Sequence, residues 1–138
     1  MSDSIEETDI LNWTIFNELR TMDEDEPGFS KELIHTFTDQ AEGIFLDMNT
    51  QLDKDEPNLK KLSELGHYLK GSAASLGLVK IQEQCERIQN YGLQKDFDGL
   101  LNDRKWEEGI REALLKARDE FEKAIEFFDR YYEKEAAQ

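Results

Sequence analysis

One short stretch of the sequence combines residues that could carry out phosphoryl chemistry. His67 is followed by Lys70 and Gly71 in the segment HYLKGSAASLGL, which spans residues 67–78. A neutral imidazole is nucleophilic near pH 7, because its unperturbed pKa is about 6.5, and it can carry a phosphoryl group on nitrogen. A lysine three residues later lies one helical turn away, where its ammonium can offset the charge of that group. Gly71 lacks a Cβ, which leaves room for another protein to approach.

Helical geometry places these three residues away from the apolar face of their helix. At about 100° per residue, His67 lies roughly 160° from the centre of the apolar stripe. Lys70 and Gly71 flank the histidine one turn further on. We therefore predict an imidazole that points to solvent, with an ammonium on one side and bare backbone on the other. The stripe consists of Leu59, Leu62, Leu65, Leu69, Ala73 and Leu76.

Each of these residues also has an ordinary explanation. A lone histidine on a helix is usually a surface residue, and a lysine three positions later is common on any solvated face. A glycine inside a helix costs about 1 kcal/mol relative to alanine and usually marks a contact between helices. Gly71 is predicted on the solvent side, which weakens that explanation. The conjunction of all three residues is what favours the chemical interpretation.

The hydrophobic spacing around this segment predicts an all-α protein. Apolar residues recur at steps of three and four, and no strand-like alternation exceeds four residues. Short links between amphipathic helices favour an antiparallel up-down-up-down four-helix bundle, with an extra short N-terminal helix across it. The predicted helices run from Trp13 to about Met22, from Ser30 to about Asp53, from Pro57 to Leu76, through Ile81, Cys85 and Ile88, and from about Lys105 to Tyr132.

Local signals predict where the helices begin and end. Asn12 and Ser30 are expected N-caps, Pro57 is suited to the first position of a helix, and Gly77 is a natural stop. Residues 94–104 are predicted to be a loop with one helical turn at 100–101. Residues 1–11 are expected to form a flexible acidic N-terminus, which leaves 12–138 as a single domain.

Composition excludes several classes of function. The 138 residues include 17 Lys and Arg against 32 Asp and Glu, a net charge of −15, which argues against binding nucleic acid or anionic lipid. Cys85 is the single cysteine, so an intramolecular disulfide and a multi-cysteine zinc site are excluded. No apolar run reaches the roughly 18 residues of a membrane span, and the N-terminus has no signal-peptide pattern. We therefore predict a reducing, soluble, intracellular environment.

The segment His67-x-x-Lys70-Gly71-Ser72-x-x-x-Leu76-Gly77 resembles the motif of histidine-containing phosphotransfer (HPt) domains. Residues 12–15, Met22 with the acidic run after it, 29–31 and 85–90 are also similar to the fungal phosphorelay intermediates of this family. The resemblance spans Asn12 to Tyr132. One departure is the short loop at 94–104, which lies away from the motif.

The resemblance implies a role for each matching residue. His67 would accept a phosphoryl group, Lys70 would stabilise its charge and Gly71 would give access. Gln89 would hydrogen-bond at the site, and Ser72 would contribute at its edge. The receiver-docking surface that the resemblance implies comprises Ile15, Glu18, Leu19, Thr21, Met22, Asp23, Phe29, Leu33 and Gln40.

The resemblance also implies the partners. The phosphoryl donor would be the receiver domain of a hybrid histidine kinase, and the acceptor would be the receiver aspartate of a response regulator. Mg²⁺ would come with the receiver, so no metal site or cofactor is expected in this chain. A monomer suits such a shuttle, and the fungal resemblance suggests osmotic or oxidative stress signalling.

Two other classes of protein also share features with this sequence. The sequence has no Gly-rich phosphate loop, no nucleotide-binding glycine cluster and no carboxylate group dedicated to Mg²⁺, which predicts a phosphoryl carrier and not an enzyme. A histidine kinase dimerisation domain also carries an exposed histidine, but an ATP-binding domain would ordinarily follow it and this sequence ends at Gln138. A helical adaptor without phosphotransfer is the other alternative.

The remaining features have ordinary structural explanations. His35 falls on the polar side of its helix without an adjacent Lys-Gly pair and is not expected to be phosphorylated. Cys85, Trp13 and Trp106 are expected to be packing residues. The acidic run at 23–26 could meet basic residues on a receiver or could be a solvated connector, and both interpretations stay open.

Overall fold

The computed structural model describes residues 10–137, and within that range the chain is helical and contains no strand. The predicted all-α fold class is confirmed. No helix in this range is long and apolar enough to cross a membrane. The helices are α1 (Trp13–Thr21), α2 (Phe29–Leu52), α3 (Leu59–Ser75), α4 (Val79–Gly92) and α5 (Trp106–Ala136), with a 3₁₀ turn at Met22–Glu24 after α1.

Helices α2 to α5 form the predicted antiparallel bundle. Helix α3 packs along α4, α4 packs along α5, and α2 contacts both α3 and α5. The start of α3 meets the end of α4, because Gly92 lies against the carbonyl oxygen of Leu59. The end of α2 meets the start of α5, where Arg111 Nη2 donates a hydrogen bond to the Leu52 carbonyl oxygen at 2.9 Å. Neighbouring helices therefore run in opposite directions.

Helix α1 covers one end of this bundle. Phe16 is fully buried, and its ring centroid lies 5.6 Å from that of Phe128 and 5.3 Å from that of Tyr131 in α5. The backbone N–H of Asn12 donates to the carbonyl oxygen of Gly77 at 2.7 Å. The short helix is thus tied both to the end of α5 and to the turn between α3 and α4.

Two of the predicted helix ends are confirmed by their hydrogen bonds. The Asn12 side chain accepts a hydrogen bond from the backbone N–H of Ile15 at 3.3 Å, which caps α1. Gly77 has a φ of +77°, and the N–H of Leu78 donates to the carbonyl oxygen of Ala73 at 3.0 Å. This is the Schellman arrangement, in which a glycine in the left-handed region ends a helix.

The prediction of Ser30 as an N-cap is wrong. Gly28, with a φ of +82°, is the N-cap of α2, and Ser30 lies buried inside the first turn. Asp23 supplies the capping oxygens: the N–H and Oγ of Ser30 donate to its carboxylate at 2.7 and 2.6 Å. The 3₁₀ turn brings this carboxylate back toward α2, which local sequence spacing does not reveal.

Three further boundaries differ from the sequence prediction. Asn58 caps α3 by accepting from the N–H of Lys61 at 3.0 Å, so Pro57 lies before the helix and not at its first position. The predicted helical turn at 100–101 is absent, and Leu101 is instead buried in the core. Helix α5 continues past Tyr132 to Ala136.

The predicted flexible N-terminus lies mostly outside the described residues, which begin at Ile10. Its last two residues are packed, contrary to that prediction. Leu11 is only 2 % exposed, and Ile10 packs against the core. The apolar character of these two residues explains why they join the bundle.

Candidate functional site

The structure places His67 in the middle of α3 with its side chain on the exposed side of the helix. Gly71 is also exposed, and a Cβ built on it would meet no atom within 4 Å. Lys70 is half-buried beside them. The outward orientation predicted for the histidine and the open approach predicted at Gly71 are therefore confirmed.

The backbone at His67 is held against α4 by the residue immediately before it. A Cβ on Gly66 would lie 3.0 Å from the Cys85 carbonyl oxygen, the Gln89 nitrogen and Ile88 Cγ2. Such contact leaves no room for a side chain, so α3 and α4 approach at the distance that glycine permits. Sequence reasoning missed Gly66, although the same helical wheel places it near the edge of the apolar face.

Gln89 is brought to this close contact by its backbone. Its carbonyl oxygen accepts a hydrogen bond from the buried Oγ of Ser63 at 2.9 Å, and its nitrogen faces Gly66. Its side-chain oxygen, Oε1, is buried and has no hydrogen-bond partner within residues 10–137. A buried acceptor without a donor is costly, so its retention at this position needs an explanation. Helix α4 thus carries an unsatisfied amide oxygen beside the helix of His67.

Lys70 lies along the same contact between α3 and α4. Burial raises the pKa of the Cys85 thiol to about 12, and the positive charge of Lys70 lowers it in part. The thiol is therefore uncharged at neutral pH and does not neutralise the ammonium. Among the described residues no carboxylate forms a salt bridge with Lys70. Its charge is available to an anion bound next to His67.

Two other residues of α3 differ in how exposed their polar groups are. Ser72 is half-buried, and its Oγ donates to the carbonyl oxygen of Tyr68 at 3.3 Å, so the hydroxyl is used within the helix. Tyr68 is 56 % exposed, directly beside His67. Sequence reasoning missed Tyr68, although a large aromatic residue outside the apolar stripe is a visible signal.

The predicted docking residues lie on three consecutive elements, namely α1, the 3₁₀ turn and the first half of α2. These elements contact one another, so the structure brings the residues together at one end of the bundle. Their exposure is mixed, and the apolar members of α1 and α2 also pack against the core. The exposed members are Glu18, Thr21, Met22 and Gln40, and the half-buried members are Ile15, Leu19, Asp23, Phe29 and Leu33.

Asp23 is occupied by contacts within the chain. Burial raises the pKa of its carboxyl group, but hydrogen bonds from Ser30 and the neighbouring charge of Arg20 outweigh burial and hold the pKa below its usual value. The next three acidic residues, at 24–26, are exposed. The first residue of the acidic run is thus part of the fold, while the other three face solvent.

Four other residues lie where the sequence predicts them, on a polar helix face or packed in or against the core. His35 is exposed, with Nε2 3.7 Å from Asp39 Oδ2. Cys85 is fully buried, as expected of a packing residue. The Trp13 ring lies 5.7 Å from that of Phe16, and Trp106 packs against the core. In the described part of the chain no group of His, Cys, Asp and Glu side chains is arranged to hold a metal ion.

These features define a class of protein: a four-helix bundle that presents an accessible histidine, with a lysine and a glycine one helical turn further on, on the outer surface of a helix. The Hpt domain family matches residues 32–125, and the chain belongs to this family.

Comparison with known proteins agrees with this assignment. The chain is 51 % identical to the phosphorelay intermediate protein YPD1 of Candida albicans over 96 residues, which cover 70 % of this chain and 51 % of the relative. It is 55 % identical over 85 residues to YPD1 of Saccharomyces cerevisiae, covering 62 % and 50 %. The matched segment thus spans about half the length of these curated relatives.

A solved structure extends the similarity over most of the fold. The co-crystal structure of Saccharomyces cerevisiae Ypd1 with the receiver domain of its downstream response regulator Ssk1 superimposes with a TM-score of 0.81 at 39 % identity. The match covers 90 % of this chain and 95 % of that chain. The helical bundle described above is therefore the fold of an HPt protein.

Proposed function

We propose that this protein is a phosphoryl carrier of a multistep phosphorelay. His67 accepts a phosphoryl group from the receiver aspartate of a hybrid histidine kinase and passes it to the receiver aspartate of a response regulator. The observation that carries the proposal is the exposed imidazole on the outer surface of α3, near a cation and a glycine at which a Cβ would meet open space. A site of this shape suits an approaching protein surface better than a small substrate, which would need an enclosing cavity.

The transfer step needs no reactant besides the phosphorylated receiver aspartate and the imidazole of His67. A lone pair on the neutral imidazole forms an N–P bond as the P–O bond to the receiver carboxylate breaks, and the aspartate leaves as a carboxylate. The phosphorylated ring releases the proton of its other nitrogen. On a second receiver the ring takes up a proton as the N–P bond breaks and a P–O bond to the aspartate forms, which regenerates the neutral imidazole. Because phosphoryl transfer depends mainly on positioning and charge stabilisation, two half-sites that meet are sufficient.

The residues around His67 stabilise the phosphoryl group or leave room for it to approach. Lys70 offsets the charge of the phosphoryl oxygens, since no carboxylate of the described chain neutralises it. Gln89 supplies an amide whose NH₂ can donate a hydrogen bond to a phosphoryl oxygen, while its buried Oε1, which lacks a partner among residues 10–137, can only accept one. Gly71 leaves the approach open. Ser72 lies at the edge of the site, with its hydroxyl bonded to the backbone.

The partners in this proposal are receiver domains, which dock on α1, the 3₁₀ turn and the first half of α2. The co-crystal of the similar Ypd1 with the receiver domain of its response regulator supports partners of this kind. Mg²⁺ is supplied by the receiver and not by this chain. We also propose that the carrier is a monomer and has no kinase or ATP-binding activity. Its proposed location is the cytoplasm and the nucleus.

The experiment that tests the proposal is incubation with a receiver domain phosphorylated on its aspartate with ³²P. We expect label on the wild-type chain that is labile to acid and stable to alkali. His67→Gln should abolish it, and His35→Gln, which removes the only other histidine, should leave it unchanged. Label that persists in His67→Gln would exclude this site. Receiver binding without label on the wild-type chain would favour the helical adaptor instead.

A further inference from the structure

In the second half of α1, Leu19 is the one apolar residue that packs against the core, and it is only half-buried. Phe16 is the one buried residue among the nine of this helix, and it lies with Trp13 in the first half. A helix of this length is not stable in isolation and depends on tertiary contacts. The second half and the 3₁₀ turn carry the exposed docking residues Glu18, Thr21 and Met22, so a contact in addition to that of Leu19 is needed to hold their orientation.

Arg20 provides that contact. Its guanidinium carbon lies 5.5 Å from the ring centroids of both Tyr131 and Tyr132, and its Nε donates to the Tyr131 hydroxyl at 3.3 Å. Its two terminal nitrogens pair with Asp23 in the 3₁₀ turn and with Glu135 in the last turn of α5. The side chain is 23 % exposed. One guanidinium therefore links α1, the 3₁₀ turn and the end of α5.

A second set of hydrogen bonds extends this cluster to α2. The carboxylate of Asp23 accepts from both the N–H and the Oγ of Ser30. The Ser30 hydroxyl also lies 2.6 Å from the hydroxyl of Tyr132, whose ring faces Arg20. The contacts form a closed circuit through Arg20, Asp23, Ser30 and Tyr132. Every element that carries a proposed docking residue is thus joined to α5 by one polar cluster.

We propose that Arg20 is a positioning residue for receiver docking. Resting on the proposed function, the inference is that Arg20 holds the second half of α1 and the 3₁₀ turn in the orientation that a receiver recognises. When the binding-competent arrangement is populated only in part, the apparent affinity falls by that fraction. Loss of Arg20 should therefore weaken docking without changing the chemistry at His67, which lies in a different helix.

Arginine suits this position for a geometric reason. Its planar group can stack on aromatic rings while its nitrogens donate in several directions at once. A lysine would keep the positive charge but has one compact ammonium, which cannot stack on two tyrosines and pair with carboxylates in two elements. Arg20→Lys should therefore recover only part of the function.

The test measures the initial rate of His67 phosphorylation against the concentration of phosphorylated receiver. For Arg20→Gln we expect the half-saturating concentration to rise about five- to tenfold, the effect of losing a partly buried charged contact, while the saturating rate stays unchanged. Lys123→Gln is the matched control. It makes the same change in net charge and removes a pair with Asp119, 3.2 Å away within α5, and it should behave as wild type.

A second measurement separates local from global effects. Amide hydrogen exchange of Arg20→Gln should accelerate in residues 13–24 and stay unchanged in α3 and α4. If Arg20→Gln does not fold, Glu135→Gln replaces it, because it removes one contact from an exposed position at the end of α5. Its half-saturating concentration should rise by a smaller factor in the same direction.

The outcomes that overturn the inference differ from those that overturn the proposed function. A labelled wild-type chain together with unchanged half-saturation in Arg20→Gln would refute the positioning role and leave the carrier role intact. Full recovery in Arg20→Lys would also refute it, because charge alone would then suffice. An unlabelled wild-type chain would instead refute the carrier role.

Discussion

His67 owes its proposed reactivity to neighbours that are held in different ways. Lys70 is half-buried, and its positive charge acts on the uncharged thiol of Cys85 in α4. Gly71 has no Cβ, and its exposed side faces open space, which leaves room beside His67. Gln89 lies on a second helix, with a buried oxygen that no donor among residues 10–137 satisfies. Charge, access and hydrogen bonding at the site can therefore be tested separately.

Lys70→Ala tests the charge. We expect the transfer rate to fall by an amount worth roughly 1–3 kcal/mol, because a charge-assisted contact to the phosphoryl oxygens is lost. The measurement is the rapid-quench rate of His67 labelling at saturating receiver. Lys60→Ala removes an exposed lysine from the same helix and should react at the wild-type rate. An unchanged rate in Lys70→Ala would make this lysine a bystander.

Gly71→Gln tests the access. A glutamine is a better helix former than glycine and meets no neighbour at Cβ, so the free energy of unfolding should rise by up to about 1 kcal/mol. Transfer should nevertheless be slower, because the side chain occupies the path of the receiver. Urea unfolding and labelling rates measure the two effects. Gly43→Gln, at an equally open position in α2, should gain stability without loss of rate.

The proposed site depends on the close packing of helices α3 and α4. Gly66 and Gly92 let the two backbones approach, and the Ser63 hydroxyl donates to the carbonyl oxygen of Gln89 within this contact. The same two helices carry His67 and Gln89. A change that separates α3 from α4 should therefore affect both the stability of the bundle and the geometry of the site.

Gly92→Ala tests this contact. The added Cβ would lie 2.7 Å from the Leu59 carbonyl oxygen and 2.8 Å from the Ser63 nitrogen, so backbone must move. We expect the free energy of unfolding to fall by about 1–3 kcal/mol, the usual cost of overpacking. Urea denaturation measures it. Gly43→Ala is the control and should be slightly stabilising. Equal stability of the two variants would contradict the close approach of α3 and α4.

In this strongly acidic chain, two arginines form ion pairs that hold the loop between α4 and α5 against the bundle. The net charge is −15, and Arg87 is almost completely buried. Its guanidinium pairs with Asp98 in the loop and with Glu112 in α5, each at 3.2 Å. Arg104, at the end of the loop, pairs with the same Glu112. The loop between α4 and α5 is thus fastened by charge as well as by the buried Leu101.

The ion pairs of Glu112 with Arg104 and Arg87 make the stability of this part of the fold depend on pH. Its hydrogen bond from Arg104, with a further one from Arg87, lowers its pKa from 4.5 to about 2, against the opposing effect of burial. The unfolded chain therefore binds more protons between these values. The stability that Glu112 contributes is complete above pH 4.5 and is lost as the pH falls toward 2.

The corresponding prediction compares unfolding as a function of pH. Between pH 4.5 and 2, the thermal midpoint of the wild-type chain should fall more steeply than that of Glu112→Gln, which has no carboxyl group to protonate. Glu122→Gln, at an exposed position of the same helix, should follow the wild-type curve. Identical slopes for wild type and Glu112→Gln would show that the pairing with Arg104 and Arg87 does not contribute.

The amino-acid sequence by itself determined the helices and the outward direction of His67. Both follow from the spacing of apolar residues at three and four positions, which is a local property of the chain. The same helical wheel placed Gly71 toward solvent. It also indicated Asn12 and Gly77 as helix ends, because capping depends on neighbouring residues.

Only the tertiary structure decided how distant residues meet. Asp23 replaces Ser30 as the source of capping oxygens, Gly66 lets α4 approach the helix of His67, and Arg20 pairs with Glu135 across 115 positions of sequence. No local pattern specifies such pairs, because each depends on the packing of whole helices. Periodicity tells which side of a helix is buried, whereas the partner that buries it is chosen when the bundle folds.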